Sequence, residues 1–507
     1  MAVLPRFVGR PDCATVAGTD MWRFGWFRSA LRRATGAGAP LIGFGLAAFL
    51  VCGLSPPAWG AESEAAGSAQ FLMISDLHFD PMADPKLVNR LAAADPDAWQ
   101  AILESSDTNG VSRYGKDSNW PLLRSALGQM EEALPAPAFL LLPGDFLAHN
   151  FRREFDASAA ERTDAAYRLF VQKTMQFVAL QLAHALPDTP ILPALGNNDD
   201  ICGDYRLQPD GPFLVDMLPI LRALIGNLAT PGLDRNWRSH GNYSVAVRGL
   251  RIIFPNTVFF SLHYQNACGS AAVPDPGQST LDWLEAELAA AKQARERVWL
   301  VYHIPPGVDG YATLQHGSCP SAIVPMWNPG HAAAFDALLR RYADTVAASF
   351  AGHTHMDDFR LLGDDSGYYA FTLITPALSP IFGQNPAFRT VVYDPAGALL
   401  DQTTYNLANL EAAAGGGAVP PVWQAEYTFT KVWQLPRVDL ASLARLYQMT
   451  ADVPEDRDRW HALYAVSSPG YWAMNGAREA QAVRTYRCAT SQVSSVDFAK
   501  CYCSGAR

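Results

Sequence analysis

The chain has 507 residues, of which 49% are hydrophobic and 17% are charged. This is the composition of a globular protein, and the length allows several domains or one large α/β domain with an appendage. The net charge of -10 argues against a protein that coats nucleic acid. A small anionic substrate stays compatible with it, because bound metal ions dominate the local field of a site.

The first 60 residues have the order of a secretory signal. Arg28, Arg32 and Arg33 precede the apolar run 41–51. The small residues Ala58 and Gly60 follow this run, and they suit cleavage by a signal peptidase after Gly60. An uncleaved membrane anchor is the alternative, although the run is shorter than the roughly 20 residues that span a bilayer. Met1 and Met21 are both candidate starts. We therefore expect an exported protein, periplasmic or secreted, with no stable membrane span after cleavage.

From about residue 70 to residue 410, short apolar runs alternate with amphipathic helical patterns, as in an α/β enzyme. Five of these runs lead directly into polar residues and are predicted strands: 71–74, 139–142, 191–195, 298–302 and 346–350. The stretch Ser279 to Arg295 has leucines at helical spacing, with Ser279 as the candidate N-cap.

Two further pairs of apolar runs have the form of β-hairpins. Residues 243–247 pair with 251–254 in this interpretation, and residues 388–394 pair with 399–405. Hairpins are antiparallel, whereas strands joined through helices are parallel. The sequence therefore predicts mixed sheets.

A flexible surface loop is predicted at residues 411–421, which are rich in Ala, Gly and Pro. We predict three segments: a signal at 1–60, a catalytic domain at 70–410 and a C-terminal subdomain at 422–507. The last segment begins as a strand and then becomes helical, and disulfides are expected to hold it.

Cysteine usage agrees with export. Six cysteines lie beyond the signal: Cys202, Cys268, Cys319, Cys488, Cys501 and Cys503. Six cysteines allow fifteen pairings. We expect Cys268 to pair with Cys319, because both lie in loops that flank one predicted strand, and Cys488 to pair with Cys501 or Cys503. Cys202 has no predicted partner, and the alternative for this residue is a free buried thiol.

Polar side chains at the predicted strand ends form a pattern of metal ligands. Three offer carboxylate or amide oxygens and four offer imidazoles: Asp76, Asp145 and Asn197, with His78, His303, His353 and His355. Donors of this kind suit two divalent cations, most often Zn, with Mn or Fe as alternatives. Each fragment alone is commonplace, and the ordered set is what makes the pattern specific.

Two cations placed about 3.5–4 Å apart need one bridging carboxylate, and Asp145 is the candidate. The first cation is then expected to lie among Asp76, His78, Asp145 and His355. The second is expected to lie among Asp145, Asn197, His303 and His353.

The ordered series Asp-X-His, Gly-Asp, Gly-Asn, His and Gly-His-X-His resembles that of calcineurin-like metallophosphoesterases. The runs at 303–307, 352–359 and 385–389 are similar to those of acid sphingomyelinase and the acid sphingomyelinase-like phosphodiesterases. The resemblance extends from about residue 70 to the C-terminus. It implies a four-layer αββα sandwich, usually with zinc, and a small C-terminal helical subdomain tied by disulfides. It also supports the Cys268–Cys319 pairing.

Two positions bear on catalysis. The family usually has a histidine after Gly-Asn, but here that position is Asn198, which cannot act as an acid. His149 matches a second histidine that this branch places beside the leaving group. We therefore expect His149 to act as the general acid and Asn198 to donate a hydrogen bond to the phosphate. The alternative for His149 is a loop histidine that only hydrogen-bonds backbone.

The resemblance implies a phosphodiesterase in which a hydroxide bridging the metals attacks phosphorus. The expected substrate is a small phosphodiester, a nucleotide or a sphingomyelin-like phospholipid. Few residues separate the signal from Asp76, so a lipid-presenting saposin-like domain is not expected, and soluble substrates become at least as probable as sphingomyelin. The alternatives are a phosphomonoesterase or nucleotidase on the same core and a non-catalytic metal-binding protein. The sequence leaves the oligomeric state open.

Overall fold

The computed structural model describes residues 67–266, 274–316, 319 and 322–503, all of which belong to one unit that spans Ser63–Arg507. The predicted signal at 1–60 lies outside the described residues. Within them, no helix combines the length and the apolar character needed to cross a bilayer.

Two mixed β-sheets form the centre of the described part of the chain. Its twelve strands are β1 (Ala69–Met73), β2 (Leu140–Leu142), β3 (Ile191–Pro193), β4 (Tyr243–Val247), β5 (Leu250–Phe254), β6 (Arg297–Val301), β7 (Val346–Ala351), β8 (Asp358–Asp364), β9 (Gly367–Ile374), β10 (Ala387–Tyr393), β11 (Leu399–Leu407) and β12 (Trp423–Thr428). The first sheet has the order β12-β11-β10-β1-β2-β3, and the second has the order β4-β5-β6-β7-β9-β8. The predicted strands and both predicted hairpins are confirmed, with ends shifted by one or two residues.

Helices connect and cover these strands. The sixteen α-helices of the described residues are α1 (Val88–Ala93), α2 (Trp99–Leu103), α3 (Trp120–Ala133), α4 (Phe151–Ser158), α5 (Asp164–Ala185), α6 (Pro212–Ile225), α7 (Leu233–His240), α8 (Pro276–Ala294), α9 (Gly310–Gln315), α10 (Pro329–Arg341), α11 (Leu410–Ala413), α12 (Phe429–Trp433), α13 (Leu440–Asp452), α14 (Pro454–Tyr464), α15 (Glu479–Ser491) and α16 (Ser495–Cys503). Short 3-10 helices lie at Pro85–Leu87, Pro96–Ala98, Gly226–Leu228, Thr257–Phe260 and Trp472–Arg478.

Helix α8 begins earlier than the sequence predicted. Its N-cap is Asp275, whose carboxylate accepts hydrogen bonds from the N–H groups of Gly277 and Gln278 at 2.9 and 3.2 Å. Pro276 then occupies the first helical position, where its missing N–H costs nothing. The prediction of Ser279 as the N-cap was therefore wrong, because the helix starts at an Asp-Pro pair whose Asp275 lies four residues before Ser279.

The two sheets pack face to face through large rings. The ring of Phe71 in β1 lies 5.2 Å from that of Trp299 in β6 and 5.9 Å from that of Phe350 in β7, measured between centroids. On the outer face of the second sheet, Leu284 of α8 and Phe335 of α10 are buried with Leu300 of β6. Helices α3 and α6 pack on strands of the first sheet. These are the four layers αββα that the sequence resemblance implied.

Parallel strands sit side by side in both sheets, and this determines where the site lies. Strands β1, β2 and β3 are parallel in the first sheet, as are β5, β6, β7 and β9 in the second. The carboxyl ends of parallel strands meet at one edge of a sheet. Segments that leave β1, β2, β3, β6 and β7 therefore converge at one end of the sandwich.

The C-terminal segment returns to the rest of the fold. Strand β12 extends the first sheet beside β11, and α13 to α16 follow as the expected helical region. The domain division at residues 411–421 stays a prediction. The helix α11 and the turns after it occupy that stretch.

Disulfides correct one predicted pairing. Cys488 is bonded to Cys501, as predicted, but Cys319 is bonded to Cys503 and not to Cys268. The reason is that α15 and α16 fold back onto the loop after α9, where Phe498 and Tyr502 form a small apolar cluster with which Cys319 packs. Cys268 lies outside the described residues. The residue left unpaired by the sequence, Cys202, is disulfide-bonded, which excludes the free thiol.

Candidate metal centre

Five of the seven predicted ligands have a left-handed backbone. Their φ angles are 49° for Asp76, 39° for His78, 56° for Asp145, 71° for His353 and 66° for His355. Residues other than glycine rarely adopt positive φ. At the ends of β1, β2 and β7 this conformation turns each side chain back toward the space between the two sheets. Backbone strain of this kind is typical of functional sites.

Glycines let these loops approach one another. A Cβ placed on Gly196 would lie 2.0 Å from Asp145 Oδ1, and one placed on Gly352 would lie 2.2 Å from Ser75 Oγ and 2.6 Å from Asp76 Oδ2. No side chain fits at such distances. The Gly-Asn and Gly-His motifs thus have a steric reason, which is the close passage of one ligand loop over another.

The first predicted ligand group is assembled and buried. His78 Nε2 lies 3.2 Å from His355 Nε2 and 3.4 Å from Asp145 Oδ2, and His355 Nε2 lies 3.4 Å from Asp76 Oδ1. All four residues are at most 2% exposed. The structure therefore brings together the residues expected around one cation.

The second group lies beside the first and shares an oxygen with it. His303 Nε2 lies 3.2 Å from Asp145 Oδ2, 3.0 Å from Asn197 Oδ1 and 3.3 Å from His353 Nδ1. Because Asp145 Oδ2 is close to both His78 and His303, this oxygen stands between the two groups. That is the position of a bridging ligand.

Hydrogen bonds behind the rings set the tautomers. His78 Nδ1 faces the carbonyl oxygen of Leu147 at 3.0 Å, and His303 Nδ1 faces that of Pro143 at 2.8 Å. A carbonyl only accepts, so these Nδ1 atoms carry the protons and the Nε2 lone pairs face the cluster. Imidazole nitrogens that converge on carboxylate oxygens fit divalent cations well.

The pKa shifts favour a neutral ring for His78 and His353, whereas His303 favours its protonated form. Burial, followed by the charge of His149, lowers the pKa of His78 to about 4. Burial together with the charge of His303 lowers the pKa of His353 to about 3. For His303 burial again favours the neutral form, but the carboxylate of Asp145 outweighs it and raises the pKa to about 9. The Asp145 anion thus attracts positive charge at the position where the second cation is expected.

His149 lies at the edge of the first group. Its ring stacks on that of His78 with centroids 4.0 Å apart, and its Nδ1 donates to Asp117 Oδ1 at 3.0 Å. Burial alone would lower the pKa of His149, but the hydrogen bond and charge of Asp117 raise it. The imidazole is therefore held in one orientation and favours its protonated form. This removes the alternative of a histidine that only contacts backbone.

Asn198 has a different set of contacts from the one expected. Its backbone N–H donates to Asp145 Oδ1 at 2.8 Å, and its side-chain Nδ2 donates to Asp145 Oδ2 at 2.9 Å. The residue therefore holds the shared carboxylate in place. One N–H of the amide group remains for a phosphate oxygen.

Three further residues support the site, and sequence reasoning missed the two carboxylates among them. Asp117 orients His149, and Asp204 Oδ1 accepts a hydrogen bond from Asn197 Nδ2 at 2.7 Å. The third, Tyr205, has its hydroxyl 3.4 Å from His353 Nε2. Asp117 lies in a polar loop without a recognisable motif, so no sequence signal marks it.

Asp199 supports the ligand loops and is fully buried. Its two oxygens accept four backbone N–H groups, those of Asp145, Phe146, Leu147 and Gly196, at 2.8 to 3.2 Å. These N–H groups belong to the loops that follow β2 and β3. One buried carboxylate thus ties two ligand loops together.

A cavity of about 540 Å³ opens beside the centre. His353 and Thr354 form its inner end, and α9, the loop around Phe382 and the segment Trp472–Arg478 form its walls. From the apolar sequence around the ligands, four aromatic residues are candidates to line such a cleft, and Tyr205 is the one that lines the cavity. The other three pack in the core: Phe79, Trp120 and Phe146.

The chain is similar in sequence to named proteins and similar in structure to solved ones. The human protein "Acid sphingomyelinase-like phosphodiesterase 3b" is 28% identical over 476 residues, which is 88% of this chain and 92% of that protein. The rat protein "Cyclic GMP-AMP phosphodiesterase SMPDL3A" is 27% identical over 422 residues, 78% of this chain and 83% of that one. Among solved structures, PhoD aligns over 71% of this chain and 69% of its own, with a TM-score of 0.42 and 10% identity. A scan against protein-family models gave no match.

Proposed function

Because this chain is a homologue of the acid sphingomyelinase-like phosphodiesterases, we propose that it is an exported phosphodiesterase with two divalent cations. One observation carries the proposal. Two buried ligand groups, each of four residues, share a single carboxylate oxygen, Asp145 Oδ2. A structural site for one metal needs only one such group.

When bound, two such cations would polarise the phosphoryl oxygens and lower the pKa of water. The remaining chemistry belongs to side chains of the protein. Asp145 holds the two ligand groups at a fixed separation, and Asn198 fixes the orientation of that carboxylate through two hydrogen bonds. The free N–H of the Asn198 amide is the proposed donor to a phosphoryl oxygen.

His149 is the proposed general acid. Its Nδ1–H is engaged by Asp117, so its Nε2 is the atom that can deliver a proton to the departing oxygen. The hydrogen bond and charge of Asp117 raise the pKa of His149, which favours retention of this proton. Asn198 cannot take this role, because an amide has no acidic proton in the accessible range.

Zinc is the proposed metal, with manganese or iron as the alternatives. Four imidazoles among seven ligands favour borderline cations over the hard cations Mg²⁺ and Ca²⁺, which prefer oxygen. Export is proposed from the signal-like order of residues 1–60 together with the disulfides Cys319–Cys503 and Cys488–Cys501. Structural disulfides persist in oxidising compartments.

The proposed substrate is a small phosphodiester, with nucleotides and sphingomyelin-like phospholipids as the two classes named by the relatives. The test is a hydrolysis panel on metal-replete protein. It compares bis-p-nitrophenyl phosphate, p-nitrophenyl phosphate, sphingomyelin, nucleoside di- and triphosphates and CDP-choline. Turnover of the diester, lost in Asn197→Ala, is expected. Turnover of the monoester alone would contradict the proposal and support a phosphomonoesterase.

A further inference from the structure

Gln384 is a buried amide that lies behind the first ligand group. Its side chain is fully enclosed, and its Nε2 lies 3.4 Å from Nδ1 of the ligand His355 and 2.5 Å from the carbonyl oxygen of Ser379. The Nδ1 atoms of His78 and His303 face backbone carbonyls, which only accept. His355 therefore differs from these two ligands, because the group behind its ring can either donate or accept a hydrogen bond.

The contacts of Gln384 determine where the proton of His355 lies. The carbonyl of Ser379 accepts, so the amide atom that faces it is the nitrogen, and the second hydrogen of this NH₂ group is left for Nδ1 of His355. When Nδ1 accepts, a neutral imidazole carries its proton on Nε2. That Nε2 lies 3.2 Å from Nε2 of His78, whose own proton is on Nδ1, and it can donate there. The hydrogen bonds thus run in one direction from Gln384 to His78.

A cation in the first ligand group needs the opposite tautomer of His355. Its Nε2 is the atom that faces the ligands, 3.4 Å from Asp76 Oδ1, so a cation would take the lone pair of Nε2 and the proton would lie on Nδ1. The second ring nitrogen of a metal-bound histidine almost always donates to an acceptor. Gln384 carries such an acceptor, since its Oε1 is buried and has no hydrogen-bond partner among the residues that the structure describes.

An amide can serve both tautomers of the ring. Its NH₂ group donates to an unprotonated Nδ1, and after half a turn about the last side-chain bond its Oε1 accepts from a protonated Nδ1. The turn gives up the hydrogen bond from Gln384 to Ser379, so the tautomer that binds a cation is reached at a cost. A carboxylate at this position would favour that tautomer from the start, and an alkyl group would support neither.

We propose that Gln384 is a positioning residue for His355, which selects the tautomer of that ring and thereby sets how tightly the first cation is held. The inference rests on the proposed function, because it concerns one of the two proposed cations. It assigns to Gln384 a lower affinity for the cation than a carboxylate would give and a higher affinity than an alkyl group would give.

The test measures zinc affinity and does not depend on turnover. Protein stripped of metal is titrated with Zn²⁺ against a chromophoric chelator, which yields two dissociation constants. Gln384→Glu should lower one of them about tenfold and Gln384→Leu should raise the same one about tenfold, the scale on which partners of metal-binding histidines act. The other constant should stay within about twofold. In an Asn197→Ala background, which lacks a ligand of the second group, the constant that remains should show both changes.

Gln402 supplies the matched control. It is 4% exposed, its Oε1 also lacks a hydrogen-bond partner within the described part of the chain, and it lies in β11, two strands away from β1. Gln402→Leu should leave both dissociation constants unchanged. Should Gln384→Glu fail to fold, Gln384→Leu must still weaken zinc binding while Gln402→Leu does not.

Opposite effects of the two substitutions separate positioning from packing. If Glu and Leu at position 384 weaken zinc binding alike, or if neither changes it, Gln384 only fills space and the inference is wrong. The number of zinc ions separates the two levels of the argument. Fewer than two ions in the native protein overturns the proposed function, whereas two ions with no difference between the Gln384 variants overturns only the inference.

Discussion

The carboxylate of Asp117 accepts two hydrogen bonds from His149. One comes from the backbone N–H of His149 at 2.8 Å, and the other comes from its ring Nδ1 at 3.0 Å. Ser379 Oγ donates to the same carboxylate at 3.0 Å and fixes it in turn. The imidazole therefore cannot rotate away from His78 without breaking its Nδ1 hydrogen bond to a carboxylate that is itself fixed. A general acid needs this restraint, because proton transfer depends on orientation as much as on pKa.

Removal of the acid should depend on the leaving group. His149→Ala should lower kcat on alkyl phosphodiesters by about 100-fold, since general-acid catalysis contributes on that order. It should have little effect on p-nitrophenyl esters, whose leaving group needs no proton. Asp117→Asn should show the same selectivity to a smaller degree, and the exposed Asp188→Asn should show none. Equal losses on both substrate types would exclude an acid role for His149.

Metal content should follow the geometry of the ligand loops. We expect about two transition-metal ions per chain by elemental analysis of protein purified without chelator. Gly196→Ala should lower that number, because its new Cβ would collide with Asp145 Oδ1. Gly128→Ala is the control, since Gly128 lies in α3 with nothing within 4 Å of an added Cβ. One ion or none in the native protein would contradict the dinuclear centre.

Asp199 should contribute to stability as well as to metal binding. Asp199→Asn replaces one acceptor oxygen by an NH₂ group that would face backbone donors, so at least two of the four hydrogen bonds are lost. Each buried donor left unpaired costs about 1–3 kcal/mol. We expect a lower urea midpoint and weaker metal retention against a chelator. An unchanged midpoint would show that the two loops are held by other contacts.

Glu426 should make stability depend on pH. Burial raises its pKa from 4.5 to about 8, although the hydroxyl of Ser467 donates to it at 2.6 Å and opposes that rise. Between these values the folded protein keeps a proton that the unfolded chain releases, so the free energy of unfolding falls as pH rises from about 5 to 8. Glu426→Gln should flatten this fall in urea titrations across that range. Glu411→Gln, an exposed substitution, should not.

Much of the site could be predicted from the sequence because most of its ligands lie in short sequence motifs. Asp76 and His78, and likewise His353 and His355, are each separated by one residue at the end of an apolar run, and a strand end is where parallel sheets place ligands. The α/β class and the mixed sheets could be predicted for the same reason, whereas the four layers were implied by the family resemblance. The alternation of apolar runs and helical patterns is visible along the chain.

What could not be predicted depends on contacts between distant segments. Cys319 and Cys503 are 184 residues apart, and only the return of α16 onto the loop after α9 brings them together. Asp117 and His149 meet for a similar reason, since a loop before α3 passes beside the loop after β2. Strands β8 and β9 were not predicted, although the run 352–359 that carries the Gly-His-X-His motif includes the first two residues of β8.

Strand β12 has a consequence for how the chain can be cut. It is the outer strand of the first sheet and covers β11, which is nine residues long. The segment after it also carries the mouth of the cavity. A truncation at residues 411–421 would therefore uncover a long strand edge, which promotes aggregation, and would remove the cavity wall in the same step.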